Sequence, residues 1–340
     1  MYYFLLFSLL SSILYSEDLI RSKALSRGLK SIPLDFAKLK TLVDDKNNPI
    51  SIEKIKLGRK LFNDKNLSLD KTIACASCHD IKKGGEDSIP TAIGYKEQKN
   101  PKHLNSPTVL NTAYSKHLFW DGRALSLREQ AKGPIQAHFE MASSPKLVQQ
   151  RTGIDFNKVV NAIAVYEKTL VTRSKYDDFL DGNDNALNIQ EKRGLNLFID
   201  MGCKGCHFGP ALGGQKIQKF PLRDYNSILN LTTTFNEKTK GRDIKNISFR
   251  FKMYKPYPFE NKGGFLGKND ERKFRVPILR NISKTAPYFH NGMIESLRDA
   301  IKIMSKHQIG VDLEKDQLDA LEAFLKSLDG KLVKYKELEP

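Results

Sequence analysis

Every cysteine of the chain belongs to one of two short motifs with the same spacing. The residues are Cys75, Cys78 and the adjoining His79, and Cys203, Cys206 and the adjoining His207. In a C-x-x-C-H motif the two thiols add to the vinyl groups of a c-type haem, and the histidine is the proximal ligand of its iron. A thioredoxin-like C-x-x-C needs no histidine, and a zinc site shared by both pairs would leave both histidines unexplained. The sequence therefore predicts two covalently bound haems.

A similar segment precedes each motif. Residues 57–62 (LGRKLF) lead into the first motif, and residues 193–198 (RGLNLF) lead into the second. Asn188 followed by Glu191 is a capping-box variant, which predicts that a helix starts just before the second segment. The apolar face of that helix would comprise Leu195, Phe198 and Ile199. Each segment is therefore predicted to form the helix that leads into a haem-binding turn.

A longer repeat follows each motif. Residues 107–131 align without gaps on residues 277–301, and seven of the 25 positions are identical, among them Asn111 and Asn281. The constant offset, in the same order after each motif, predicts an internal duplication. The fold class is therefore predicted to be mainly α, with two cytochrome c-like haem domains and long loops.

The two copies differ at a position where an iron ligand could lie. Continuing the alignment sets Met304 against Pro134. Met304 is thus a candidate sixth ligand of the second haem, and the first haem lacks a counterpart. An iron held by Met and His has a high potential that suits electron transfer, whereas an iron without that ligand can open for a substrate. The alternative is that Met304 is a core methionine of an amphipathic helix.

The rest of the sequence predicts how the chain is divided. Residues 2–14 form an uncharged apolar run that is too short to span a bilayer. This run predicts a signal peptide over residues 1–16 and a periplasmic protein, the alternative being an uncleaved anchor. Residues 17–180 would form the first haem domain and residues 181–340 the second, with a C-terminal helix that could pack back on the first. Helical apolar spacing is clear over residues 157–172 and 313–328.

The chain carries a formal charge of +17 over 340 residues, none of it from side chains of residues 1–16. A secreted protein rarely meets nucleic acid, so we interpret the basic surface as attracting an acidic face of a partner protein. General solubility is the alternative interpretation. The stretch 214–275 is rich in lysine, and its basic side chains could form a docking surface or simply be solvated; they are Lys252, Lys255, Lys262, Lys268, Arg272 and Lys273.

These features resemble the bacterial di-haem cytochrome c peroxidases. The resemblance extends from about Leu57 to about Gly330. Its most specific stretches are residues 105–109 (NSPTV), 119–123 (FWDGR), 129–135 (EQAKGPI), 140–141 (EM) and 286–290 (APYFH).

The resemblance implies a role for each site residue. The first haem, with His79, would be the peroxidatic one, and the second, held by His207 and Met304, would accept electrons from a small c-type cytochrome. Trp120 would lie between the haems, and Gln130 and Glu140 would line the pocket for hydrogen peroxide. A calcium ion would lie between the domains, bound by the side chain of Asn105 and the carbonyls of Thr285 and Pro287. Family analogy also implies a homodimer.

The acid/base assignment has physical support of its own. Cleavage of the O–O bond requires a group that moves a proton from the near to the far oxygen. A carboxylate in a haem pocket meets little water, so the pKa of Glu140 should rise. Without the resemblance, the sequence would predict that Glu140 is a solvated acid, that Gln130 is an amide on a helix surface, and that Trp120 is a core residue.

One segment departs from the family pattern. The family usually places a distal histidine in an Ile-Gly-His segment after the first motif, and here the segment is Ile93-Gly94-Tyr95. We expect a first haem that is open or holds only water. Tyrosinate ligation by Tyr95 and ligation by His103, eight residues later, remain alternatives.

Two other functions compete with the peroxidase. A pure electron carrier would need a strong sixth ligand on the first haem, and no methionine aligns with Met304 there. A protein-modifying di-haem oxidase, similar to the enzyme that matures the quinone cofactor of methylamine dehydrogenase, would have tyrosine in place of Met304.

Overall fold

The computed structural model describes residues 19–222 and 257–338, and this part of the chain is mainly α-helical, as predicted. The predicted signal peptide, Lys252 and Lys255 lie outside the described residues. The helices are α1 (residues 19–26), α2 (Phe36–Val43), α3 (Ile52–Phe62), α4 (Cys75–Cys78), α5 (Leu127–Gln136), α6 (Pro145–Thr152), α7 (Phe156–Glu167), α8 (Lys175–Leu180), α9 (Ile189–Asp200), α10 (Leu297–Met304) and α11 (Lys315–Ser327). Among the described helices, none combines the length and the hydropathy that a bilayer span requires.

Two small antiparallel ladders accompany the helices. Strand β1 (Thr172–Arg173) pairs with β4 (Lys331–Leu332), and β2 (Ile217–Lys219) pairs with β3 (Lys273–Arg275). In the first ladder Thr172 is opposite Leu332, and in the second Ile217 is opposite Arg275. Each ladder therefore joins segments that are far apart in the sequence.

The first helix pair consists of α3 and α7. Ser51 caps α3 by accepting a hydrogen bond from the Lys54 N–H at 3.3 Å, and Asp155 caps α7. The two helices meet at Gly58, where a Cβ atom would overlap the Ala162 carbonyl and come within 2.7 Å of Tyr166 Cβ. Glycine is therefore required for this close approach of two backbones.

The second helix pair, α9 and α11, makes the same contact. The predicted capping box is confirmed, because Asn188 accepts from the Glu191 N–H and the Glu191 side chain accepts from the Asn188 N–H, both at 2.9 Å. At Gly194 a Cβ atom would overlap the Ala320 carbonyl and come within 2.7 Å of Phe324 Cβ. The predicted face of Leu195, Phe198 and Ile199 is buried in this pair.

Each helix pair lies in its own buried core. The segment near the N-terminus packs in the second core, and the segment near the C-terminus packs in the first. Ala24 and Leu29, near the N-terminus, are buried in the core of α9 and α11. Tyr335, near the C-terminus, is buried in the core of α3 and α7, next to the β1–β4 ladder. Helix α11 itself packs on α9 in the second core, and only the segment after it crosses to the first.

A buried ion pair fastens the junction between the two halves. Asp177 of α8 and Arg280 have fully buried side chains and are joined by two hydrogen bonds of 2.5 and 2.7 Å. Asp177 also accepts from the Ile32 N–H at 2.7 Å, and Arg280 donates to the carbonyls of Pro210 and Lys30. This cluster therefore connects the N-terminal segment, α8 and the loop after the second haem motif.

The aligned residues Asn111 and Asn281 have the same backbone conformation. Both are left-handed, with φ of 62° and 59°, a region that asparagine tolerates better than most residues. Both side-chain amides donate to the Thr172 hydroxyl, at 2.9 and 3.3 Å. Thr172 therefore lies where the two copies of the repeat meet.

Candidate functional site

In both C-x-x-C-H turns the histidine Nδ1 faces a backbone carbonyl. His79 Nδ1 lies 3.1 Å from the Gly85 carbonyl, and His207 Nδ1 lies 3.2 Å from the Leu212 carbonyl. Such a bond fixes the ring and leaves Nε2 as the atom that can bind a metal. Burial lowers the pKa of both imidazoles, that of His207 to about 4, so both rings are neutral as iron ligation requires.

None of the four cysteines forms a disulfide. Cys75 and Cys78 are the ends of α4, and Cys203 begins a short 3₁₀ turn after α9. Burial raises the pKa of Cys75 and Cys78 to about 12 and that of Cys203 to about 11. Four half-buried cysteines with the C-x-x-C-H spacing, none of them in a disulfide, fit the predicted thioether bonds.

The second turn opens on an apolar cavity. Its lining includes Cys203, Cys206 and His207, and also Met304, the last residue of α10. The apolar part of the lining includes Phe198, Leu297, Ile301, Leu321 and Leu325. Two thiols, an imidazole and a thioether around one apolar space are the donor set of a c-type haem with His/Met ligation.

A buried arginine lines the same cavity. No sequence motif pointed to this residue. Arg275 is 3% exposed, and among the described residues it forms no ion pair with an acidic side chain. Its guanidinium lies 5.7 Å from the centre of the Trp120 ring, and Nε donates to the Phe119 carbonyl at 3.2 Å. Burial lowers its pKa to about 10. The cationic side chain is therefore available to an anionic group bound in the cavity, such as a haem propionate.

Trp120 lies where the two segments that align in sequence hydrogen-bond to each other. The Arg275 N–H donates to the Trp120 carbonyl at 2.8 Å, and the Asn105 N–H donates to the His290 carbonyl at 2.9 Å. With the offset of 170 residues, Asn105 corresponds to Arg275 and Trp120 to His290, so these two bonds are reciprocal. Extending the alignment back by two positions includes Arg275, but the aligned residue is Asn105, so the sequence does not indicate that this arginine is buried. The indole of Trp120 is buried, and Nε1 donates to the Asn105 carbonyl at 2.8 Å.

The first turn meets the segment that contains Glu140. Cys78 Sγ lies 3.9 Å from the Ile93 carbonyl, and the Tyr95 N–H donates to the Glu140 carbonyl at 2.7 Å. Gly94 packs so closely that a Cβ atom would overlap the Phe139 carbonyl. Burial raises the pKa of Glu140, and the nearby charge of Arg123 opposes this rise. The structure therefore brings Glu140, the Tyr95 loop and the first haem turn together.

Gln130 and His103 are the two further candidates for the first haem. Gln130 is half-buried on α5. His103 is half-buried, and its Nδ1 lies 3.4 Å from the Thr91 hydroxyl. Gly263 packs against the backbone of Lys102 and His103. His103 is thus held within its own loop by local contacts, and its role as an iron ligand stays a hypothesis.

The predicted calcium ligands line one cavity. Asn105, Thr285 and Pro287 all border the cavity of the second turn, and Asn105 Nδ2 donates to the Ile89 carbonyl at 2.8 Å. Among the described residues, no three His, Cys, Asp or Glu side chains are grouped so that they could hold a metal ion. A calcium ion here would therefore rely on amide and carbonyl oxygens, which calcium accepts, together with water.

Comparison with known proteins identifies relatives over most of the chain. The family model described as di-haem cytochrome c peroxidase matches residues 52–185. Cytochrome c551 peroxidase of Pseudomonas aeruginosa is 39% identical over 309 residues, which is 84% of this chain and 81% of that protein. Cytochrome c551 peroxidase of Nitrosomonas europaea is 36% identical over 83% of this chain and 81% of its own length.

Solved structures share the fold. A MauG-like protein associated with microbial copper homeostasis matches with a TM-score of 0.67 and 25% identity, over 92% of this chain and 96% of its own. The Y463M variant of the diheme peroxidase BthA from Burkholderia thailandensis matches with a TM-score of 0.62 at 19% identity, over 84% and 87% of the two chains. The two c-type haems that the family implies agree with the two C-x-x-C-H turns. On the sequence identity and its coverage, the chain belongs to the di-haem cytochrome c peroxidase family.

Proposed function

We propose that this protein is an oxidoreductase that reduces hydrogen peroxide to water with electrons from a small c-type cytochrome. Electrons would enter at the second haem and pass to the first. One observation carries the proposal, namely the asymmetry of the two haem turns. The second turn shares its cavity with Met304, whereas the first turn adjoins the half-buried carboxyl of Glu140.

At the second turn the chain supplies attachment, ligation and charge. Cys203 and Cys206 would hold the haem, and His207 and Met304 would ligate its iron. Arg275 would pair with a propionate, which offsets the cost of burying an unpaired guanidinium. Such six-coordinate His/Met ligation favours electron transfer over substrate binding.

At the first turn the chain would bind and protonate the substrate. Haem iron supplies the electrons and the Lewis acidity for O–O cleavage. Glu140, with a pKa raised by burial, would take a proton from one peroxide oxygen and return it to the other, which leaves as water. Gln130 would orient the peroxide by hydrogen bonding, and the segment of Tyr95 would border the site.

We further infer that the two halves arose by duplication, with Trp120 between their haems. The equal contacts at Gly58 and Gly194 and the matched conformations of Asn111 and Asn281 support this inference. We also propose that the protein is periplasmic and forms a homodimer, and that its two domains divide near residue 180. A calcium ion would be bound by Asn105, Thr285 and Pro287. Chelation of that ion should loosen the junction that these ligands border.

An optical titration of the purified holoprotein tests the function directly. Reduced cytochrome c should be oxidised in a ratio of two per peroxide consumed, at a rate that depends on the protein. An electron carrier would equilibrate with cytochrome c and leave peroxide intact. A protein-modifying oxidase, as suggested by the 28% identity to the methylamine utilization protein MauG of Methylophilus methylotrophus, would react with peroxide and turn over cytochrome c poorly.

A further inference from the structure

The last residue of α7, Glu167, carries a buried carboxyl group that the proposed mechanism does not use. The residue is 6% exposed, and within the described part of the chain Oε2 has no hydrogen-bond partner. Burial raises its pKa to about 8, and no charged neighbour contributes to that shift. A buried carboxyl without a partner is costly, so its retention calls for an explanation.

The similarity of the two helix pairs indicates where this carboxyl lies. Tyr166 of α7 and Phe324 of α11 make the same contact with the glycine of the opposite helix, at 2.7 Å in both cases. Glu167 and Leu325 are the residues that follow them. Leu325 lines the cavity of the second haem turn. Glu167 therefore occupies the corresponding position at the first haem.

Electrostatics within the first half agree with this placement. Burial raises the pKa of the Cys75 thiol, and the negative charge of Glu167 adds to that rise, as expected for a carboxyl near the cysteine that would form a thioether. Tyr166 of α7, Lys168 just after it, and Arg59 of α3 are the other titratable groups around this helix end, and the Arg59 guanidinium lies 5.9 Å from the Tyr166 ring centre. The charges of Asp44, Asp45 and Lys54 act on Lys168. None of these forms an ion pair with Glu167 among the described residues.

We propose that Glu167 borders the first haem at its Cys75 edge and takes up a proton when that haem is reduced. The inference rests on the proposed function. A ferric haem carries one more positive charge than a ferrous haem and so favours the carboxylate, whereas the ferrous haem favours the acid. The electron arrives from the second haem, the proton comes from solvent, and the net charge of the pocket is unchanged. Leu325 provides no such group at the second haem.

The test is a redox titration of the two-haem protein, followed optically, at several pH values between 6 and 9. The midpoint potential of the first haem should fall as pH rises, while that of the second haem stays nearly constant. In Glu167→Gln the pH dependence of the first haem should be lost. Glu97→Gln, which removes an exposed carboxyl in the loop of Tyr95, is the matched control and should keep the dependence.

A converse variant covers the case in which Glu167→Gln does not fold. Leu325→Glu should confer on the second haem the pH dependence that the wild-type protein shows only at the first. A flat potential at the first haem of the wild-type protein would overturn the inference, as would an unchanged slope in Glu167→Gln with both haems attached. Intact mass shows which idea has failed. A chain that carries fewer than two haems would contradict both the proposed function and the inference on Glu167, whereas a two-haem chain with a flat potential would contradict the inference alone.

Discussion

At the scale of single residues, the chemistry depends on burial more than on residue type. Glu140 becomes a candidate acid/base group because its segment is packed against Gly94 and Tyr95, which removes water from the carboxyl. Arg275 becomes a haem-binding candidate because it is buried without an acidic partner among the described residues. Both residues would be ordinary if they were solvated.

Glu140→Gln should lower the rate of peroxide turnover by about 10² to 10⁴-fold, because the amide keeps the shape of the side chain but cannot accept the proton. The haem content and both potentials should change little. Stopped-flow measurement of peroxide reduction checks this, with the exposed Glu97→Gln in the nearby loop as control.

The raised pKa of Glu140 also sets the direction of the pH dependence. The carboxylate is the form that accepts a proton, so the wild-type rate should fall as pH decreases through the raised pKa. A normal rate in Glu140→Gln would remove this residue from the mechanism.

Met304→His should lower the reduction potential of the second haem by a large margin, because thioether ligation favours ferrous iron more than imidazole does. Both haems should remain attached, and the first haem serves as the internal reference in a redox titration. If the potential of the second haem stayed the same, a residue other than Met304 would be its ligand.

At the scale of elements, two helix crossings and one loop position the site. The crossings at Gly58 and Gly194 bring the helices before each motif against α7 and α11. The loop that contains Tyr95 is fastened to the Glu140 segment by backbone contacts. The first haem turn is therefore held by packing on one side and by a loop on the other.

Gly58→Ala should lower the free energy of unfolding by about 1–3 kcal/mol, because the added methyl group would overlap the Ala162 carbonyl. Gly205→Ala is the matched control, since a Cβ atom there meets nothing within 4 Å. Urea unfolding of both variants measures the difference, and equal stability of the two would contradict the tight crossing.

The Tyr95 loop predicts an oxidised first haem without a strong sixth ligand. A neutral phenol is a poor iron ligand, since its reference pKa is about 10. Electron paramagnetic resonance of the oxidised protein should therefore show one high-spin ferric haem, and peroxide should react without prior reduction. Two low-spin signals with no reaction until one electron is added would point to His103 instead.

At the scale of the whole molecule, two features connect the two cores. Each terminal segment packs in the core of the opposite half, and Asp177 and Arg280 form a buried ion pair. Ala24 belongs to the second core and Tyr335 to the first. Besides its bonds to Asp177, Arg280 donates hydrogen bonds to the carbonyls of Lys30 and Pro210. Relative movement of the haems would therefore disturb buried contacts on both sides.

Arg280→Met should lower the free energy of unfolding by about 3–5 kcal/mol, because it leaves the Asp177 carboxylate buried without its partner. The double variant with Asp177→Asn should recover part of this loss. Urea unfolding measures both. A double variant as unstable as the sum of the two single variants would show that the residues act independently.

The sequence by itself determined the features that depend on local chemistry. The two C-x-x-C-H motifs, the capping box of Asn188 and Glu191, and the helical character of the chain follow from neighbouring residues, and the structure agrees with them. The predicted helix over residues 157–172 ends at Glu167 instead, because the backbone of Thr172 bonds to the Asn111 side chain and pairs with Leu332. Those partners lie 61 and 160 residues away, beyond the reach of apolar periodicity.

Only the tertiary structure decided which polar side chains are buried and what they face. Arg275 lies in a lysine-rich stretch, and Glu167 ends an ordinary amphipathic helix, so neither differs from a solvated residue in sequence. Their burial arises when β3 bonds to Trp120 and when α7 crosses α3 at Gly58. The desolvation that gives such groups their chemistry is a property of packing between distant segments, and local residue order does not encode it.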